Sequence, residues 1–205
     1  MRRVLVWIAL FAAVFAALFA AVPAASGGSA PAAAWFKRGD PHITTFLFVY
    51  RPHLVLMDRE LGVYPFVILQ EGEPSPPEFG PLFTQALLQE GSIASVAYVP
   101  EAPWDGAPVW KANGWTEASR IAAVAADGRQ RGYDFVVLGR VDRLFRTASD
   151  GLVARVTVWL ISTSDGAVVW YGAKNADWLR RFPLEDCVLR LGWSFAVDWR
   201  PPPPP

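Results

Sequence analysis

Few residues in this 205-residue chain have the chemistry for catalysis or metal binding: His42, His53, Cys187, and the aspartates Asp134, Asp142, Asp150 and Asp165. A metal site needs several ligands converging at set spacings, and two histidines eleven residues apart do not have a standard one. They read as surface or strand-end residues. Cys187 falls on an apolar stripe with Leu184, Val188 and Leu191, which marks a buried structural thiol rather than a nucleophile. Paired carboxylates would do general acid–base work. Here Asp150 and Asp165 are explained by Ser-Asp-Gly turns, and Asp142 lies between Arg140 and Arg143. Arg140, Asp142 and Arg155 read as a charge ladder on the wet face of a sheet. There is no G-x-S-x-G elbow, phosphate-binding G-x-x-x-x-G-K loop, G-x-G-x-x-G turn, H-E-x-x-H or cysteine pair. No catalytic, metal-binding or cofactor-binding residue is assigned, no cofactor is expected, and the chain reads as not an enzyme.

Tryptophan is the compositional oddity. There are ten, of which Trp7 lies in the apolar leader. Aromatic side chains bury a large area at little entropic cost, so they mark cores and interfaces. Trp104 and Trp110 sit in a proline-rich loop where no core periodicity demands them, and Trp159 falls on the polar side of its strand. These three are the candidates for an exposed interaction surface, for a partner protein or a sugar ring.

The elements that must position these residues can be read from periodicity. Ile43 to Tyr50 is β-branched and aromatic, and Leu54 to Met57 adds a short extended piece. Leu61 to Leu69 is a strand that ends in an irregular turn at Pro65. From Glu78, helical spacing of Phe79, Leu82, Phe83, Ala86 and Leu87 predicts a helix that Gly91 stops. Ile93 to Val99 is strand-like, and Pro100 to Asn113 is a loop. A second helix, with Ala118, Ile121, Ala122 and Ala125 on its inner face, ends at Gly132. Phe135 to Leu138 is apolar on both faces, as a central strand should be. Ser149-Asp150-Gly151 and Ser164-Asp165-Gly166 then separate three strands of a meander. In its middle strand Leu152, Ala154, Val156, Val158 and Leu160 face the core, while Arg155, Thr157 and Trp159 face a partly wet side. A third helix carries Leu184 to Leu191, after which Trp193, Phe195, Val197 and Trp199 alternate. The expectation is an α/β (α+β) domain. It has one mixed sheet of about five to six strands and two to three packed helices, with parallel pairing early and a C-terminal antiparallel meander.

The start of the chain addresses it. Arg2 and Arg3 precede an uncharged run from Val4 to Ala25, the layout of a secretory signal. Val22 and Ala24 suit cleavage after Ala24, and the run is also long enough to remain as a membrane anchor. Residues 1–25 are thus a signal or anchor, 26–41 a flexible spacer, 42–200 a single domain, and 201–205 a polyproline tail. The 19 basic and 19 acidic residues balance. Nothing here attracts nucleic acid. A single cysteine leaves no internal disulfide and no lipidation site just after the leader.

The succession Leu61-Gly-Val-Tyr-Pro-Phe, helix, Ile93 to Val99, helix, Gly132-Tyr-Asp-Phe-Val-Val-Leu-Gly-Arg-Val, then Asp165-Gly166 and Val168-Val169-Trp170 resembles a group of envelope α/β domains. The group includes the TolB N-terminal domain, the curli secretion subunit, the lipoprotein activators of penicillin-binding proteins, and the Pel export lipoprotein. The resemblance covers about Leu61 to Gly172. It implies action by protein contact, through an envelope partner or self-association, in secretion, polysaccharide export or cell-wall systems. Tyr64 departs from the group's aliphatic residue, and the lipidation cysteine is missing. The sequence therefore reads as a non-catalytic periplasmic or secreted accessory protein, touching the membrane only if the leader is retained. The alternative reading is a carbohydrate- or small-ligand-binding domain that uses exposed tryptophans.

Overall fold

A computed structural model describes residues 43–49, 56, 58–69, 79–91, 93–104, 116–179 and 183–200, all within one compact unit, Gly39–Pro205. The leader, the spacer, His42, His53, Trp110, most of the Leu54 to Met57 piece and the proline tail lie outside these residues. The described residues form an α+β fold of seven strands and three helices. The strands are β1 (Ile43–Val49), β2 (Glu60–Val63), β3 (Val67–Ile68), β4 (Ser95–Tyr98), β5 (Phe135–Arg146), β6 (Leu152–Ser162) and β7 (Val168–Trp178). The helices are α1 (Phe79–Glu90), α2 (Glu117–Arg131) and α3 (Leu184–Asp198).

The strands make one mixed sheet in the order β1-β7-β6-β5-β2-β4, with β3 also beside β5. Pairing is parallel for β2 with β4 and β5, and for β3 with β5, and antiparallel through the meander and at β1. Pro65 explains the break between β2 and β3, since it has no N–H to give the ladder. The chain rejoins β5 one residue out of step: Val63 pairs with Val137, and Val67 with Arg140. The meander turns close where the sequence marks them. Asp150 adopts a φ of 60° and Gly166 one of 71°, the left-handed region that Asp and Gly tolerate.

Both faces of the sheet are covered, unequally. On one face Leu152, Ala154, Val156, Val158 and Leu160 of β6 pack with Phe79, Phe83 and Leu87 of α1 and Cys187, Val188, Leu191 and Phe195 of α3. Each fully buried side chain of this size contributes about 1.5–3 kcal/mol. Gly192 lets α1 and α3 touch, because a Cβ there would stand 2.7 Å from that of Ala86. On the other face Val136, Leu138, Trp159 and Ile161 pack with Val124 and Ala125 of α2.

Three expectations change. The second face is wet only toward the far end of β6, where Arg155 is exposed, and is dry at Thr157 and Trp159. α2 is rotated from the expected setting: Arg120, Val124 and Gly128 join Ala125 as its buried residues, while Ala118 and Ala122 are exposed. The buried stripe runs at i, i+4, i+8, and an arginine in the middle of it hid the pattern. Finally, the alternating Trp193 to Trp199 stretch is not extended. α3 continues through it, because Leu191, Phe195 and Ala196 carry on the helical stripe of Cys187 and Val188. Among the described residues no helix is long and apolar enough to cross a membrane.

Candidate functional site

The second face holds the expected charge ladder where β6 passes from buried Thr157 to exposed Arg155, so only its Arg155 end is wet. Asp142 is 8% exposed, and its Oδ1 accepts a hydrogen bond of 2.5 Å from Nε of Arg140. Its Oδ2 accepts from the Thr157 hydroxyl, and Nε of Arg155 stands 3.8 Å away. β5 positions this group through a bulge. The register passes from Val141↔Val156 to Arg143↔Arg155, so Asp142 is the extra residue. A bulge places two successive residues opposite one and re-aims the side chains beyond it. Arg143 therefore lies on the open face, and Leu144 packs toward the α1/α3 core.

The tryptophan candidates are placed differently from the expectation. Trp104 is 4% exposed and Trp159 2% exposed, so neither offers a stacking surface. Trp159 lies 5.3 Å from the Tyr171 ring, and the Arg140 guanidinium covers it at 5.2 Å from the ring centroid. Trp104 sits among Val99, Tyr64 and Val124, with the Arg120 guanidinium 4.9 Å from its ring. In both cases an arginine that reads as a solvent residue lies over an indole, a cover that neither the loop position of Trp104 nor the polar strand side of Trp159 announces. Trp193, at 45%, is the exposed tryptophan among the described residues.

Two polar clusters were not foreseen. Lys174 enters the α1/α3 side, where its ammonium gives 2.7 Å to the Ser194 hydroxyl, 3.0 Å to the Ser194 carbonyl and 3.2 Å to Thr45, and pairs with Asp198 at 2.7 Å. Burial lowers the lysine's pKa and raises that of Asp198, each effect being opposed by the partner charge. A lysine beside a serine is the arrangement in which a neutral amine takes a hydroxyl proton. The Asp198 charge opposes the lowering at Lys174, and through these bonds the cluster fastens α3 to β7 and β1. The sequence signal was the alternation Trp170, Gly172, Lys174, Ala176, Trp178, which puts a lone lysine on the inward face. The second cluster joins the residue that follows β2 to α2: the Tyr64 hydroxyl gives 2.5 Å to Asp127, and Arg131 binds the same carboxylate at 2.7 Å. Burial, then the Asp127 bond, pushes the Tyr64 hydroxyl well above its ordinary range, so it stays a donor.

Cys187 is fully buried, and burial raises its thiol to about 12. Asp134 serves a structural role, accepting from the Glu60 amide at 3.1 Å. Asp165 accepts from the Ala167 amide at 3.1 Å within its turn. Among the described residues no three His, Cys, Asp or Glu side chains converge as metal ligands.

Comparison of the sequence with protein-family models and with curated proteins finds no match. Solved structures do match. A PelC dodecamer from Paraburkholderia phytofirmans superposes with a TM-score of 0.56 at 21% identity, over 77% of this chain and 96% of that one. A second PelC dodecamer from the same organism gives 0.55 at 20%, over 77% and 98%. The LpoB C-terminal domain from Salmonella enterica gives 0.40 at 11%, over 58% and 84%. The chain thus shares the fold of PelC across nearly the whole of that protein.

Proposed function

We propose that this chain is a non-catalytic accessory protein of the cell envelope that works as an assembly of its own copies, in a polysaccharide export system. The observation that supports this most is the fold shared with PelC over 96% of its length, in structures that are dodecamers. The polar clusters agree with a scaffold, since Lys174 and Tyr64 bind partners that join separate elements. In this reading residues 1–25 export or anchor the chain, 26–41 space it from the membrane, and 42–200 form the working domain. Sugar binding by Trp104, Trp110 and Trp159 loses two of its three members to the core.

The test is crosslinking in intact cells that express the tagged full chain from its own locus. The expected result is a ladder at multiples of the chain mass, confined to the envelope and periplasmic fractions. A chain that stays in the cytoplasm, or that gives only the single-chain band, overturns the proposal.

A further inference from the structure

β5 and β6 place two arginines against each other, and the one carboxylate in reach, Asp142, is shared by Arg155 with Arg140. Arg143 and Arg155 are direct cross-strand partners on the open face, a juxtaposition of like charges that destabilises a sheet. The nearby carboxylate, Asp142, already serves Arg140 and Thr157, and meets Arg155 only at 3.8 Å. Among the described residues, the exposed side chain of Arg143 makes no hydrogen bond or ion pair. Asp177, exposed on β7 opposite Val153, pairs with neither arginine. The bulge at Asp142 is what creates the repulsion, since regular alternation would have turned Arg143 to the other face. Two residues farther along the same face stands the pair Phe145↔Val153, with Phe145 44% exposed. That is about 7 Å away at the rise of a strand.

We infer that Arg143, Arg155 and Phe145 form a binding site for an acidic sugar of a polysaccharide, the arginines taking its carboxylate and Phe145 its ring. A guanidinium is matched to a carboxylate by two parallel N–H donors, so an incoming anion relieves the repulsion between the two arginines. A uronic acid offers a carboxylate at one edge of a ring whose C–H face is apolar, and an exposed aromatic ring beside the anion site suits that face. Arg143, Arg155 and Phe145 are all exposed on one strand pair, which suits a chain passing over it rather than a small molecule enclosed within it. The inference rests on the proposed role in polysaccharide export for its choice of a glycan. Its failure is separable from the failure of that role, because assembly is measured without glycan.

The experiment is calorimetric titration of the full chain, purified from the envelope, with oligogalacturonate. Controls are neutral malto-oligosaccharide, inorganic phosphate, and vesicles containing phosphatidylglycerol. The wild type should bind oligogalacturonate and not the neutral oligomer, with affinity falling as salt rises. Arg143→Gln and Arg155→Gln together should lower that affinity at least tenfold, with a melting temperature unchanged or raised because the repulsion has gone. Arg143→Gln alone removes a side chain with no polar partner among the described residues, so it keeps the test valid if the double variant does not fold. Phe145→Ala should weaken the glycan without altering any response to phosphate. No binding of oligogalacturonate, equal binding by the arginine variants, or tighter arginine-dependent binding to phosphate or to the vesicles overturns the assignment.

Discussion

The ammonium of Lys174 and the carboxylate of Asp198 lie 2.7 Å apart between β7 and the last turn of α3, with the lysine 1% and the aspartate 26% exposed. Breaking a buried pair leaves an uncompensated charge, whereas replacing both members with apolar residues removes the desolvation cost with the attraction. Lys174→Met should therefore destabilise the domain by about 3 kcal/mol, toward the lower limit for such pairs because Asp198 keeps some contact with water. The double variant Lys174→Met, Asp198→Leu should regain most of that loss. Urea unfolding of the two single variants and the double variant checks this, and losses that simply add would contradict it.

The same pair gives a pH dependence whose sign is set by burial. Asp198 titrates above 3.8 in the folded chain, so the folded state keeps a proton that the unfolded state loses, and stability falls as pH rises through that window. Lys174 titrates below 10.5, so on approach to that value the unfolded state holds the extra proton and stability rises with pH. Urea midpoints of the wild type minus those of the double variant should fall above pH 3.8 and climb again below pH 10.5. A flat difference would remove the pair from the account.

Cys187 should ignore an aromatic disulfide reagent at pH 8 until the domain unfolds, because its thiol is buried and titrates at about 12. The folded state then keeps a proton that the unfolded state loses above 9.0, so this thiol's contribution declines as pH climbs from 9.0 toward 12. Cys187→Ala should flatten that decline. Rapid labelling of the folded chain would show that the α1/α3 core is open.

Trp159→Ala and Trp104→Ala should each cost about 3–5 kcal/mol, as deletions of buried indoles do. Gly192→Val should cost about 1–3 kcal/mol by forcing α1 and α3 apart. Thermal melts measure all three. A tryptophan variant that melts like the wild type would return that side chain to the surface.

How much could be read from the sequence depends on how local each signal is. The meander, α1 and the cap of α2 at Gly132 rest on alternation, helical spacing and turn residues, all readable within about ten positions. The Arg140–Asp142–Arg155 ladder was legible because strand alternation puts Arg155 on the open side of β6. The burial of Trp159 was not, because the residue that covers it, Arg140, belongs to the neighbouring strand. The bulge at Asp142 leaves no mark in the sequence, so the opposition of Arg143 and Arg155 is visible only in the register. Lys174 was missed for the related reason that Ser194 and Asp198, its partners, lie 20 or more residues away on α3.

Self-assembly is the central claim, and the mass of the native protein tests it most directly. Light scattering on the chain purified from the envelope of cells expressing the full sequence should give one species of many subunits, its mass a fixed multiple of the single chain across a wide concentration range. A species at or below 22.6 kDa, the mass of one full chain, at every concentration would contradict it.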